Sequence, residues 1–357
     1  MKKGIGVGIE DFKKIIDEDC YYFDKTNYIE ELLKDKTEIK LFTRPRRFGK
    51  TLNMTTLKYF FDVRNAEENR KLFKDLYIKK SEYFKEQGQY PTIFITLKDT
   101  KKNNWEECYS KIKIILRDLY EEHSYIKDKL SINEKEEYDK ILFKKDDAEY
   151  DNALLNLTKY LYNYYQKKVV LLIDEYDSPL ITANQFGYYK EAINFFRDFL
   201  SSALKTNSNL KMGVLTGIVQ VAKEGIFSGL NNVKTYNILG DKFEIFFGLS
   251  EEEVEEALKY FEMTYEIEEV KRWYDGYKFG NSEVYNPWSI VNYLSDRGLQ
   301  AYWVNTSDNA LIYDNLKNST VDVFKDLEAL FEGKAIKKEI SPFFTFEELS
   351  KFDGIWQ

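Results

Sequence analysis

The chain has 357 residues with one histidine, two cysteines, 53 basic and 61 acidic side chains, a formal net charge of −8. The single imidazole, His123, excludes a multi-histidine metal site, and Cys20 with Cys108 excludes a four-cysteine zinc site or a disulfide framework. The acidic balance disfavours nucleic-acid binding by bulk charge alone, which leaves carboxylates, lysines, arginines, hydroxyls and a recruited cofactor or metal ion to carry any chemistry.

Length sets a soft expectation of two or three domains. Only six uncharged residues separate Lys3 from Glu10, too few for a signal-peptide core. No run approaches the roughly 20 apolar residues of a membrane span, so the expectation is a cytoplasmic chain without membrane contact. Apolar residues at Phe12, Ile15 and Ile16, then at Tyr28, Leu32 and Leu33, predict two short amphipathic helices flanking a Tyr-Tyr-Phe-Asp-Lys-Thr turn. Ile39 to Thr43 predicts a strand that stops at Arg44-Pro45, and Thr51 to Phe61 a helix that follows Gly49-Lys50.

Thr92 to Leu97 predicts a second strand. The charged, mainly helical stretch near 100–165 reads as an insertion, ending in a helix near Ala153 to Gln166. Val169 to Ile173 is an apolar run suited to a strand buried on both faces, with Asp174-Glu175 at its exit. A long helix near Tyr188 to Leu204 and a strand at Lys211 to Thr216 follow, and this alternation predicts an α/β fold with a parallel sheet and flanking helices. The character changes near 248, where Ser250 and Glu253 form a capping-box pattern. The expected division is 1–247 as an α/β unit and 248–357 as a mostly helical region with extended pieces at Tyr285 and Tyr302-Trp303-Val304. The last residues read as a cut end.

Two constellations carry chemistry. Arg44-Pro-Arg-Arg-Phe-Gly-Lys-Thr51 matches G-x-x-x-x-G-K-[ST] except at its first position. In that motif backbone N–H groups cradle phosphates, the lysine reaches the terminal phosphates and the hydroxyl binds Mg²⁺, roles open to Lys50 and Thr51. Arg44 before proline is pushed to extended geometry and Pro45 offers no N–H, so Arg46 and Arg47 become candidates to supply charge directly. Arg44, Arg46, Arg47, Phe48, Gly49, Lys50 and Thr51 are the candidate nucleotide contacts. A lone Gly-Lys-Thr is a common surface turn; a strand before it and a helix after it give this one the required setting.

The second constellation is Asp174-Glu175 at the strand's exit: either a charged, solvated turn, or the P-loop ATPase pair of an aspartate that holds the Mg²⁺ shell and a glutamate that polarises an attacking water. About 120 residues and one strand separate it from the loop, which suits the P-loop class with another strand between the two motif strands. Thr216 is either a sensor of the γ-phosphate or a hydroxyl satisfying the Gly217 turn. His123 reads as solvated surface. Gly4-x-Gly-x-Gly8 follows no strand and is no dinucleotide fingerprint. Trp273-Tyr-Asp-Gly-Tyr277 reads as turn chemistry, Asn286-Pro-Trp288 as a helix start, and their aromatics as core.

Taken together, GIEDF, YYFDKT, LFTRPRRFGKTLNM, VVLLIDEYDSPL, LTG with AKEGIFSGLNNV, FGLSEEEVEE, WYDGYKFG and VYNPWSIVNYL closely resemble the bacterial AAA-ATPase-like family from Gly4 to Tyr302. RPRRFGKT is the usual loop of that family, so Arg44 looks like a family trait. The resemblance implies a P-loop ATPase binding ATP and Mg²⁺ through Lys50, Thr51 and Asp174, with Glu175 assisting hydrolysis and Arg46 or Arg47 stabilising the transferred phosphoryl. It also implies a winged-helix-like C-terminal region and partners that include DNA, a nuclease domain or chain, or a second copy.

Where relatives usually carry an arginine this chain has Gln220, and Gly225 replaces a common serine, leaving Lys223 as that segment's cation. Members often carry a C-terminal PD-(D/E)XK nuclease domain, yet no Asp followed by Glu-x-Lys occurs on a predicted strand after residue 250. Glu38-Ile-Lys40 has the spacing but reads as strand surface. Two rival readings are a non-hydrolysing, nucleotide-gated interaction module and a nucleic-acid contact built from RPRR with Lys34, Lys36 and Lys40.

Overall fold

The computed structural model describes residues 2–220, 232–263, 267–304, 316 and 321–338. Two short helices, α1 (Phe12–Asp17) and α2 (Asn27–Lys34), precede β1 (Ile39–Thr43), and α3 (Lys50–Phe61) and α4 (Ala66–Leu72) follow it. After β2 (Thr92–Thr96), the expected helical excursion supplies α5 (Trp105–Glu122), α6 (Ile132–Leu142) and α7 (Ala153–Tyr165). Next come β3 (Val169–Asp174), α8 (Ser178–Phe186), α9 (Tyr189–Leu204), β4 (Leu210–Gly217) and β5 (Val233–Tyr236).

The five strands form one parallel sheet in the order β2-β3-β4-β1-β5. Thus β4 lies between the strands that carry the two motifs, as their spacing predicts. Strand alternation divides the core. Ile39, Leu41, Leu171, Ile173 and Leu215 pack under the α5–α9 layer, while Phe42, Val170, Leu172 and Val214 pack under α1–α3. Every residue of β1 and β3 is buried, the reason their sequences lack an alternating polar face.

A separate apolar cluster begins at Leu249. It joins α10 (Glu251–Tyr260), α11 (Ile267–Tyr274), the antiparallel hairpin β6 (Asp275–Phe279) and β7 (Ser282–Tyr285), and α12 (Pro287–Asp296). A last helix, α13, spans Val321–Phe331. The Ser250–Glu253 capping box and the Asn286 cap ahead of Pro287 both form. The N-terminal segment straps this cluster to the sheet: Tyr21 packs on Tyr260 and Phe261, and Lys25 bonds both Glu253 and the Ile245 carbonyl.

Three local expectations change. Tyr302-Trp303-Val304 is turn, not extended chain, with the Tyr302 carbonyl accepting from the Trp288 indole at 3.0 Å. Asp275-Gly276 opens β6 rather than turning, and it leaves Trp273 and Tyr277 substantially exposed. His123, the residue that caps the end of α5, is buried, at 1 % exposure. Lys40, expected on the strand surface, is also buried, near the Asp35 carboxylate at 4.0 Å.

Candidate nucleotide site

The exits of β1, β3 and β4 converge on the N-terminus of α3. The loop between β1 and α3 holds two left-handed residues, Arg47 (φ 70°) and Gly49 (φ 71°), on either side of Phe48. Such alternation is the backbone pattern that makes an anion-binding concavity of N–H groups, and here it leads directly into the start of a 12-residue helix. Lys50 is buried, and its Nζ donates to the Arg44 and Pro45 carbonyls at 3.0 and 2.8 Å. Burial pushes that ammonium down from its ordinary range, against the pull of Asp177, Asp174 and Glu175.

Thr51 and Asp174 meet across the sheet. The Thr51 hydroxyl donates to Asp174 Oδ2 at 2.8 Å, and the Thr216 hydroxyl, from the strand between them, donates to Oδ1 at 2.5 Å. Burial pushes the Asp174 carboxyl up, opposed by these two hydroxyls. The Thr216 hydroxyl thus bonds Asp174 rather than the Gly217 turn. Glu175 sits beyond the strand end with φ 52°, its Oε2 accepting from the Ser178 hydroxyl at 2.6 Å.

The side chain of Arg44 goes elsewhere. Fully buried, it donates to the Thr43 and Tyr236 carbonyls at 2.9 and 2.7 Å and to the Phe243 carbonyl at 3.3 Å, between the rings of Phe247 and Phe279. Burial pushes it down to about 10. Of the expected nucleotide contacts, Arg44 is therefore corrected to a side chain that ties the loop to β5 and the hairpin. The ring of Phe48 is likewise turned into that hairpin, packing on Tyr277 and Phe279 at 4.9 and 5.0 Å between centroids. Arg46 and Arg47 stay exposed, and the Arg47 guanidinium lies 3.9 Å over the Trp288 ring.

A cavity of about 400 Å³ opens over the loop. Arg46, Arg47, Gly49, Lys50, Thr51 and Glu175 are among its polar lining, and Ile5, Ile9, Pro287, Trp288 and Val291 among its apolar lining. From the Gly4–Gly8 run, Ile5, Gly6 and Gly8 line this cavity. Sequence reasoning also missed Asp177 and Tyr176. Asp177 Oδ2 accepts from the Ile218 and Val219 N–H groups at 2.7 and 2.9 Å, and the Tyr176 hydroxyl donates to the Val219 carbonyl at 2.8 Å. The signal was the Tyr-Asp pair following Asp174-Glu175, which has no place in the metal-and-water logic of that motif. Gln220 is buried, whereas Lys223 and Gly225 lie outside the described residues.

A family model described as Predicted AAA-ATPase matches residues 6–227. An "Uncharacterized protein in vnfD 5'region" of Azotobacter chroococcum mcd 1 is 25% identical over 322 residues, covering 88% of this chain. The match spans 56% of that relative's own length. No solved structure matches the chain. Among the described residues no helix is long and apolar enough to cross a membrane.

Proposed function

Because the chain belongs to the Predicted AAA-ATPase family, we propose that it binds ATP with Mg²⁺ over the 44–51 loop and hydrolyses it. In this reading residues 1–247 form the nucleotide-binding unit, and the region from 248 closes over the base. The observation that carries it is the Thr51–Asp174 hydrogen bond, which joins the two motifs at the mouth of the loop.

Among the described residues the Lys50 ammonium hydrogen-bonds only neutral carbonyls of its own loop, acceptors that a phosphate oxygen outcompetes by charge. Arg46 and Arg47 border the same space and add positive charge where the phosphoryl group carries negative charge. Glu175 orients and polarises the attacking water. The apolar wall formed by Ile5, Ile9, Pro287 and Val291 suits the faces of a planar base.

The donor set fits Mg²⁺. Among the described residues no group of three His, Cys, Asp or Glu could hold a metal, but Mg²⁺ keeps several waters and needs only one or two protein oxygens beside the phosphates. Thr51 Oγ1 and Asp174 would hold it. When bound, it would neutralise charge on the phosphate oxygens.

Phosphate release by wild type and Glu175→Gln tests hydrolysis: a turnover that the variant reduces at least about a hundredfold supports it, because a positioned base is worth roughly that much. Equal background rates, with tight nucleotide binding retained, would favour the non-hydrolysing module instead. The contacts of Arg44, Arg47 and Phe48 with Phe279, Trp288 and Tyr277 support that second reading, since they give loop occupancy a route to the C-terminal part. Coupling to a nucleic-acid or nuclease process rests on the family resemblance, and DNA-stimulated turnover is its readout. A DNA contact through Lys34 and Lys40 has little support: Lys34 pairs with Glu30 and Glu31, and Lys40 is buried.

A further inference from the structure

Lys101 reaches the same cavity from a strand that neither motif occupies. It stands just past the exit of β2, which runs beside β3 with Thr96 paired to Asp174 and the Leu97 N–H donating to the Asp174 carbonyl at 3.0 Å. A short 3-10 turn over Lys98–Thr100 follows, closed by the Thr100 hydroxyl on the Leu97 carbonyl at 2.6 Å. On the far side the Tyr188 hydroxyl donates to the Lys102 carbonyl at 2.7 Å. The backbone on both sides of Lys101 is therefore fixed, and its Nζ lies 3.4 Å from Glu175 Oε2.

Glu175 is a residue that benefits from restraint. Its backbone is in the left-handed region, its side chain is 29 % exposed, and Ser178 holds Oε2 from the polypeptide's own next turn. Lys101 adds a charged partner from a different strand exit, so two directions rather than one define where the carboxylate stands. Resting on the reading of Glu175 as the group that orients water, we propose that Lys101 is a positioning residue that holds the Glu175 carboxylate toward the cavity.

An ion pair with a 47 % exposed lysine contributes little to folding. That separates the proposal from a merely structural role, because turnover should respond while thermal stability does not. The test compares ATP turnover, affinity for a fluorescent ATP analogue and melting temperature in wild type, Lys101→Met, Lys101→Arg, Glu175→Gln and the Lys101→Met/Glu175→Gln double variant. Lys101→Met is expected to lower kcat about tenfold, as small misplacements of a catalytic group do. KM, affinity and melting temperature should stay near wild type, and Lys101→Arg should restore most of kcat. In the Glu175→Gln background Lys101→Met should have no further effect, since both changes act through one carboxylate.

A loss confined to KM and affinity, or a loss that multiplies with that of Glu175→Gln, overturns the proposal. Wild-type turnover no faster than that of Glu175→Gln removes the Glu175 reading, and this assignment with it. Clear wild-type turnover with an unaltered kcat in Lys101→Met removes the Lys101 assignment alone.

Discussion

Phe48, in the middle of the 44–51 loop, lies edge-on to Tyr277 of the C-terminal hairpin, with 4.9 Å between ring centroids. The loop is therefore held from outside as well as from within. Arg44 reaches Phe279 of the same hairpin, and Arg47 lies over Trp288 at the start of α12. This accounts for the one departure from the usual motif: glycine at position 44 would supply none of the hydrogen bonds that join β1, β5 and the Phe243 carbonyl.

Restoring the motif's glycine should harm the protein. Arg44→Gly leaves three buried carbonyls without their donor and opens a void between Phe247 and Phe279. A loss of about 2–4 kcal/mol is expected in urea denaturation, and Phe48→Ala should cost about 3 kcal/mol by cavity formation. Variants as stable as wild type would show that the hairpin does not support the loop.

Gly217 has no room for a side chain. A Cβ there would stand 2.7 Å from the Tyr176 ring and 2.8 Å from Asp177 Oδ1, on the two side chains whose hydroxyl and Oδ2 clasp residues 218–219. Gly217→Ala should therefore cost roughly 1–3 kcal/mol by overpacking, measured as a lowered urea midpoint with an unchanged slope. An unchanged midpoint would mean that the clasp yields freely.

The single histidine gives a clean pH test. Burial drives His123 down to about 3, helped by the Arg64 charge, and its Nδ1 lies 3.2 Å from the Tyr125 hydroxyl. Because the folded state keeps the ring neutral while the unfolded chain protonates it near pH 6.5, stability is full above that pH and falls as pH drops toward 3. At pH 5 the loss is about 2 kcal/mol, and His123→Gln should remove that slope. The one imidazole C2–H resonance should stay flat from pH 8 to 5; a midpoint near 6.5 would place His123 in solvent.

The sheet was legible because buried parallel strands advertise themselves. IKLFT and VVLLI are short apolar runs ended by turn or charged residues, and they became β1 and β3 almost residue for residue. The Val233–Tyr236 strand escaped notice, since Val-Lys-Thr-Tyr at a sheet edge has neither a long apolar run nor strong alternation. At the site, Lys50, Thr51 and Asp174 follow from chemistry at fixed spacing. The fate of Arg44, Phe48 and Lys101 depends on which tertiary neighbours arrive, and no local pattern specifies a hairpin more than 220 residues away. His123 misled for a related reason: a charged helical sequence hides which face is covered.

Nucleotide binding over the 44–51 loop is most directly tested by titrating wild type and Lys50→Ala with a fluorescent ATP analogue in the presence of Mg²⁺. The expected result is saturable binding by wild type and at least about a tenfold weaker affinity in the variant, the loss of one charge-assisted phosphate contact. Equal affinity in the two proteins, or no binding by wild type, would contradict it.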